Sequence, residues 1–444
     1  MSKRPQRKPL PAEPCLAEIE SLSPEGRGVA HVDGKAVFVF GALPGERVRF
    51  RYTALYRDYA EGRVVEVLEA SPHRVEPRCP HFGVCGGCSL QHLAADCQIE
   101  QKQRMLLEQF RRLGKVEPES LLPPLAGPHW GYRRKARLGV KWVAKKNKVL
   151  VGFREHASAF VADLETCPVL HPRVGERLQL LVETLAGLSI RDRVPQIEVA
   201  VGDAAAALVF RVLAEPTAAD RERLRRFAME QGFDVYLQPG KPDSIEALQP
   251  AAPDLVNYRL PGCDIEFRFR PTDFTQVNVD INGKMVERVL DLLDPAPTHR
   301  VLDLFCGIGN FTLPLARKAG TVVGVEGSRE SVERARMNAR HNGIGNVEFH
   351  VADLTGDSAD LAWARLAYDR VLLDPSRAGA QEVLHLAPRW GAPRLVYVSC
   401  NPATLARDAG ILVHRHGYRL AGAGVLDMFP HTAHVESIAW FEAG

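Results

Sequence analysis

VLDLFCGIGNFTLPLA, residues 301–316, reads as an apolar strand, a glycine-rich turn and the start of a helix. Gly307 and Gly309 let the backbone turn sharply and approach a ligand with no Cβ in the way. The helical pattern INGKMVERVLDLLD (281–294) precedes the turn. After it, strand patterns TVVGVE (321–326), NVEFHVAD (346–353), RVLLDP (370–375) and RLVYVSC (394–400) alternate with helices, the clearest being SVERARMNARHNG (331–343). Such alternation predicts a doubly wound parallel sheet from about residue 271, with its sites at the carboxyl ends of the strands.

The chemistry stands at those strand ends. Glu326 closes the second strand, where an acid can accept both hydroxyls of a ribose; Asp353 closes the third and Asp374 the fourth. Thr312 occupies the place of the third glycine of the dinucleotide fingerprint, so a pyrophosphate ligand is disfavoured. A nucleoside carrying an amino acid, such as S-adenosylmethionine, fits better. Cys400 lies just past the fifth strand, in VYVSCNPATLARD (396–408), facing the same crevice. Most lone cysteines of this kind are small buried hydrophobes, but one beside a cofactor crevice is a candidate nucleophile. A methyl donor gives the thiol a purpose. Carbon 5 of uracil is too electron-poor to take a methyl group until a thiolate adds to carbon 6. That route needs a base near carbon 5, expected in a later loop. In LDMFPHTAHVES (426–437) His431, His434 and Glu436 remain open as that base.

Toward the N-terminus the pattern changes. At 444 residues the chain exceeds what one core usually holds, so two or three domains are expected. Residues 130–270 mix strands and helices as an α+β region. Residues 15–70 give short β patterns, among them KAVFVF (35–40), RVRFRYTALY (47–56) and GRVVEVLEA (62–70), divided by glycine turns. They predict a small β-barrel of the kind that binds oligonucleotides. A helix is expected from about Leu90 to Leu113, burying Leu93, Ile99, Met105, Leu106 and Phe110. Lys3, Arg4, Arg7 and Lys8 form a basic tail. A second basic stretch (Arg133, Arg134, Lys135, Arg137, Lys141, Lys145, Lys146, Lys148, Arg154) is interleaved with Trp130, Tyr132, Trp142 and Phe153. Cations with flat rings suit single-stranded RNA; a solvated hairpin explains the stretch equally well. No apolar run approaches the ~20 residues that cross a bilayer, and no secretory signal is evident, so a cytoplasmic protein without membrane contact is expected.

Nine cysteines in such a chain suggest ligands or a nucleophile before disulfides. Cys79, Cys85 and Cys88 form C-x5-C-x2-C, and Cys167 stands as a distant fourth. Four thiolates suit zinc or an iron–sulfur cluster; a single C-x2-C pair leans toward iron–sulfur.

CPHFGVCGGC (79–88), WGYRRKARL (130–138), FTQVN (274–278), VLDLFCG-x-GNFTLPLA (301–316), VLLDP-x-RAGA (371–380), VYVSCNPATLARD and LDMFPHT-x-H-x-ES together resemble the bacterial RNA m5U (uracil-C5) methyltransferase family, in its 23S ribosomal RNA branch, over essentially the whole chain. The resemblance implies an α/β architecture in three parts. These are an OB-like TRAM barrel at 10–72, a central α+β iron–sulfur and RNA-binding domain at 73–270, and a Rossmann-like methyltransferase domain at 271–444. In related structures the helix at 90–113 packs on the catalytic domain. It further implies a [4Fe-4S] cluster on Cys79, Cys85, Cys88 and Cys167, and an S-adenosylmethionine site of Gln276, Phe305, Asn310, Glu326, Asp353 and Asp374. Cys400 is then the nucleophile and Glu436 the base. The family often has Asn where Asp353 stands. The expected partner is a uridine flipped from a single-stranded or loop region of 23S rRNA, and the expected state a monomer. Two rival readings are the same chemistry on transfer RNA or another ribosomal site, and a non-catalytic RNA-binding assembly factor. Relatives acting on transfer RNA typically lack barrel and cluster. A cytosine-C5 enzyme would carry a cysteine after the proline that follows the fourth strand, where Asp374-Pro375 has none.

Overall fold

The computed structural model of the chain describes residues 10–444 apart from 242–243, 251, 254 and 357–358; the basic tail Lys3, Arg4, Arg7 and Lys8 lies outside the described residues. The chain forms two compact units, one of residues up to Lys102 with Arg154–Phe160 and Phe429–His434, the other of Gln103–Phe153, Val161–Met428 and Val435–Gly444. Among the described residues no helix is long and apolar enough to cross a membrane.

In the first unit six strands pair in the order Cys15–Glu18, Arg47–Leu55, Tyr59–Glu69, Lys35–Phe40, Gly28–Val32, Ser21–Leu22. Only Ile19 and Glu20 separate the two end strands in sequence, so the sheet curls back on itself around one core. Alternation decides which side chains enter that core. In Arg47–Leu55, Val48 and Phe50 are fully buried while Arg47, Arg49 and Arg51 face outward. A Cβ on Gly62 would stand 2.4 Å from the Phe50 ring, which is why the crossing strand carries glycine there.

The helix expected from Leu90 begins later, at Ala95, and runs to Gln109 before a single π turn, Phe110–Gly114. Leu90 and Leu93 are buried in turns that precede it. In the second unit the π turn packs on the helix Pro402–His416: a Cβ on Gly114 would meet the Ala406 carbonyl oxygen at 2.4 Å, and His414 Nε2 lies 3.1 Å from the Gly114 carbonyl.

The second unit holds two large sheets. One orders Glu246–Ala247, Asp234–Gln238, Ala206–Arg211, Gln196–Val201, Lys135–Val143, Lys148–Gly152. The other has seven strands: Val347–Val351, Thr321–Glu326, Arg300–Leu304, Arg370–Leu373, Arg394–Ser399, Glu436–Ala443, Tyr418–Leu426. Its first five are parallel, and all but the edge strand Val347–Val351 are near-continuously apolar, as strands buried on both faces are. Strand order reverses between Arg300–Leu304 and Arg370–Leu373, the place where such sheets open a ligand crevice. The last two strands are antiparallel and differ from the sequence expectation, which put Glu436 in a loop. Glu436 instead begins a strand laid between Arg394–Ser399 and Tyr418–Leu426. The stretch YRLAGAGVL hid its strand because its glycines and alanines carry little β preference; burial fixes it. Pairing with Arg394–Ser399 is regular, whereas pairing with Tyr418–Leu426 shifts register between Leu420 and Gly422.

Candidate active site

The glycine turn is strained where it leaves the first strand. Phe305 and Cys306 both donate to the Val325 carbonyl, at 2.8 and 3.1 Å, and this forces Phe305 to φ +66°. A bulky residue there costs about 1–3 kcal/mol and is held only by its surroundings. Gly307 (φ +54°) and Gly309 (φ +93°) continue the turn, and nothing lies within 4 Å of where a Gly307 Cβ would be. This open backbone suits a close-lying ligand.

Glu326 reaches back to the turn. One carboxylate oxygen accepts the Gly307 N–H at 3.2 Å and the other the Ser328 N–H at 2.9 Å. Asn310 is held by a reciprocal amide pair with Asn282 (2.9 and 3.0 Å) and by the Tyr258 hydroxyl at 3.0 Å. Asp353 is exposed beyond the edge strand, and its carboxylate accepts the N–H and hydroxyl of Thr355 at 2.9 and 2.7 Å; these bonds lower its pKa. Gln276 sits in the loop 271–278, which is pinned to the neighbouring sheet. There Arg134 N–H donates to the Val277 carbonyl at 2.8 Å, and Lys135 Nζ donates to the Pro271 carbonyl.

Asp303, in the first strand, escaped the sequence reading. It is fully buried; one oxygen accepts the Thr312 hydroxyl at 2.5 Å and the other has no hydrogen-bond partner among the described residues. Burial pushes its pKa up to about 8. The signal was present in V-L-D-L-F, an acid in an otherwise apolar strand.

Strand register brings the expected nucleophile and one of its candidate bases to the same sheet end. Ser399 pairs with Ser437, whose hydroxyl donates to the Ser399 carbonyl at 3.1 Å, so the next pair outward is Cys400 opposite Glu436. Asp374 ends the neighbouring strand. The Cys400 thiol is half-buried, and burial, then Glu436 and Asp374, push its pKa up to about 11; the Arg377 guanidinium pulls the other way. Glu436 is buried and pushed up to about 8 by desolvation and then Asp374, again opposed by Arg377. Burial alone raises Asp374 to about 7. Arg377 is thus a second residue that sequence reasoning missed, a cation serving both members of the pair from the loop after Asp374. Of the rival bases, His431 is buried in the first unit, its N–H donating to Gln98 Oε1 at 2.8 Å, and His434 packs edge-on against Phe429. Glu436 belongs to the second.

All nine cysteines are without a disulfide. Cys79, Cys85 and Cys88 lie on successive tight turns of the first unit: Phe82 N–H donates to the Cys79 carbonyl at 3.0 Å, Cys85 N–H to the His81 carbonyl at 2.9 Å, and Gly87 N–H to Cys85 Sγ at 3.4 Å. Cys167 belongs to the second unit. Among the described residues no group of three or more His, Cys, Asp or Glu is placed to hold a metal ion.

The basic stretch is largely partnered within the chain. Arg134, Arg137 and Lys148 pair with Asp203, Glu198 and Asp163 at 2.6–2.7 Å, Trp142 lies under Arg191, and Phe153 lies under Arg133. Tyr132 is buried, while Lys141, Lys145 and Lys146 are exposed.

The chain is similar to known proteins in both sequence and fold. A profile of the tRNA (Uracil-5-)-methyltransferase family matches residues 95–443, and one of the TRAM domain residues 15–65. The 23S rRNA (uracil(1939)-C(5))-methyltransferase RlmD of Methylococcus capsulatus is 62% identical over 442 residues, covering 100% of both chains. That of Alkalilimnicola ehrlichii is 60% identical, covering 98% of both. Among solved structures, the Pyrococcus abyssi tRNA (uracil-54, C5)-methyltransferase in complex with S-adenosyl-L-homocysteine superposes with TM-score 0.73 at 25% identity, covering 96% of this chain and 99% of that one.

Proposed function

Since the chain belongs to the RNA uracil-C5 methyltransferase family, we propose how its residues carry out that family's reaction on ribosomal RNA. The enzyme uses S-adenosylmethionine to methylate carbon 5 of a uridine in 23S rRNA. The observation that carries the mechanism is the register ending on Ser399 opposite Ser437, which leaves Cys400 and Glu436 as the next residues outward at the carboxyl end of the sheet.

Cys400 Sγ, once deprotonated, adds to carbon 6 of the flipped uracil, and the electrons of the 5,6 double bond move through carbon 5 onto the carbonyl oxygen at carbon 4. The enolate then returns its electron pair through carbon 5 to the methyl group of S-adenosylmethionine, the second substrate; the sulfur–methyl bond breaks, its electrons stay on sulfur, and S-adenosylhomocysteine leaves. Glu436 then takes the remaining hydrogen from carbon 5 as a proton, the 5,6 double bond re-forms, and the Cys400 thiolate leaves. Arg377 counters the negative charge on Cys400 and Glu436. Gln276, Phe305, Asn310, Glu326, Asp353 and Asp374 hold the methyl donor. The open glycine turn and the Glu326 carboxylate beside it support that assignment.

The pH dependence has a definite sign. Glu436 must be ionised to act as base, and a carboxyl titrating near 8 is only about one-tenth ionised at pH 7. The Cys400 thiol, near 11, also gains reactivity as protons leave. Methylation measured at saturating substrates should therefore rise with pH by at least about fifteenfold between pH 6.5 and 8. A flat profile across that range would remove Glu436 from the base role.

Cys79, Cys85, Cys88 and Cys167 hold a [4Fe-4S] cluster. The tight turns and the Gly87 N–H already aimed at Cys85 Sγ fit thiolates carrying negative charge. Cys88→Ala prepared without oxygen should lose most of its iron, labile sulfide and broad visible absorbance. Retention of a full complement would exclude Cys88 as a ligand.

The functional parts are the barrel at 10–72, the central region at 73–270 and the methyltransferase domain at 271–444, acting as a cytoplasmic monomer. A direct test incubates the protein with labelled S-adenosylmethionine and 23S rRNA lacking its modifications. The expected outcome is 5-methyluridine in one fragment, at the counterpart of the position in the relatives' names. Label on transfer RNA alone would keep the chemistry and overturn the substrate.

A further inference from the structure

The loop that follows the fourth strand, residues 374–380, carries Arg377 at its exposed crest. The helix Pro402–His416 starts directly after the nucleophile, and Asp408 on that helix is fully buried. Its carboxylate joins three elements. One oxygen accepts the Ala380 N–H at 2.8 Å and the Tyr397 hydroxyl at 2.7 Å; the other accepts Arg407 Nε at 2.8 Å. Ala380 ends the loop, and Tyr397 lies three residues before Cys400 in the fifth strand.

Arg407 completes the fastening by donating from Nη2 to the Ala378 carbonyl at 2.9 Å. On the other side of Arg377, Asn401 Nδ2 donates to the Arg377 carbonyl at 2.9 Å. The loop lies so flat on this clamp that Gly379, at φ +85°, has Arg407 Nη2 2.5 Å and Asp408 Oδ2 2.7 Å from where a Cβ would stand. A buried carboxylate with three donors is a rigid junction, since each donor would otherwise be left unmet. Every bond of the junction ends on the backbone of the Arg377 loop, on the strand of Cys400 or on the helix between them.

We propose that Asp408 is a positioning residue for the methyl transfer: it fixes loop 374–380 on the helix behind the nucleophile and so holds the Arg377 guanidinium against Cys400 and Glu436. The proposal rests on the reading above in which Arg377 assists that pair. Asp408 touches neither the uracil nor the methyl donor, and it acts only through the loop. Besides Arg377, the ionisable groups facing Cys400 are Glu436 and Asp374. Those facing Asp408 are Arg407 and Tyr397. Asp408→Asn keeps the shape but sets an amide where one carboxylate oxygen met two donors.

The test reads the thiol itself. The holoenzyme, its Asp408→Asn and Arg377→Gln forms and the double variant are treated with iodoacetamide across pH, and modification of the Cys400 peptide is followed by mass spectrometry. Asp408→Asn should displace the Cys400 profile to higher pH and slow modification near neutral pH by roughly three- to tenfold. Arg377→Gln should do the same, and the double variant should be no slower than Arg377→Gln alone, because both changes remove one effect. If Asp408→Asn does not fold, Tyr397→Phe, which removes one donor, should give a smaller shift of the same sign. A wild-type profile for folded Asp408→Asn, or effects that multiply in the double variant, would overturn the clamp. An unshifted profile for Arg377→Gln would overturn the role of Arg377, and the clamp with it.

Discussion

Glu436→Gln should stop turnover and leave RNA covalently attached to the enzyme. Glutamine keeps the shape of a side chain that is buried at the start of its strand, so Cys400 can still add to carbon 6 and the methyl group can still arrive at carbon 5. What fails is removal of the carbon-5 proton, and without it the thiolate has no route out. Loss of a general base typically slows a reaction about 10²–10⁴-fold. The adduct should therefore accumulate as an RNA–protein band that resists denaturant and carries the labelled methyl group. The change also removes a raised carboxyl from beside the thiol, so adduct formation should not be slowed. Free product formed at the wild-type rate would rule out Glu436 as the base and return attention to His431 and His434.

Cys400→Ala should remove both product and adduct, with activity falling by at least about 10⁴-fold. Among the described residues the neighbouring groups are poor substitutes: Glu436 and Asp374 are weak nucleophiles, and Cys306, in the glycine turn, is buried with its thiol pushed well above its ordinary pKa. Binding of S-adenosylmethionine should persist, because the turn at 305–310 and Glu326 do not depend on Cys400. Dialysis with labelled S-adenosylmethionine would check this. Retained binding without methylation separates a chemical loss from an unfolded one, whereas retained methylation would end the covalent mechanism.

The parallel half of the catalytic domain was legible in the sequence because buried parallel strands are continuous apolar runs, and a polar residue at the end of each has few reasons to be there other than a site. Glu326, Asp374 and Cys400 were found in this way. The barrel was legible for the opposite reason, its alternation in RVRFRYTAL. The pairing of Cys400 with Glu436 was not legible from periodicity. Thirty-five residues separate them, and the strand of Glu436 enters the sheet ahead of the one that precedes it in sequence. Motif resemblance named Glu436; only the strand order supplies a physical reason for its nearness. Asp303 and Arg377 were overlooked because each lies beside a louder signal, the glycine turn and Asp374. The basic stretch at 133–154 was left between two readings, since a sequence lists cations without the carboxylates that fold against some of them, here Asp203, Glu198 and Asp163.

The strand Glu436–Ala443 also bears on how this enzyme can change over generations. Its pairing with Arg394–Ser399 is regular, and the irregular step between Leu420 and Gly422 falls on the outer strand. An added residue in the outer strand can be taken up there, as one irregularity already is. One added residue between Glu436 and Ala443 would instead turn the carboxylate to the opposite face of the sheet. Length variation among descendants should therefore gather in 418–426 and be purged from 436–443, so that the outermost strand acts as a buffer absorbing genetic drift on behalf of the proposed nucleophile and base.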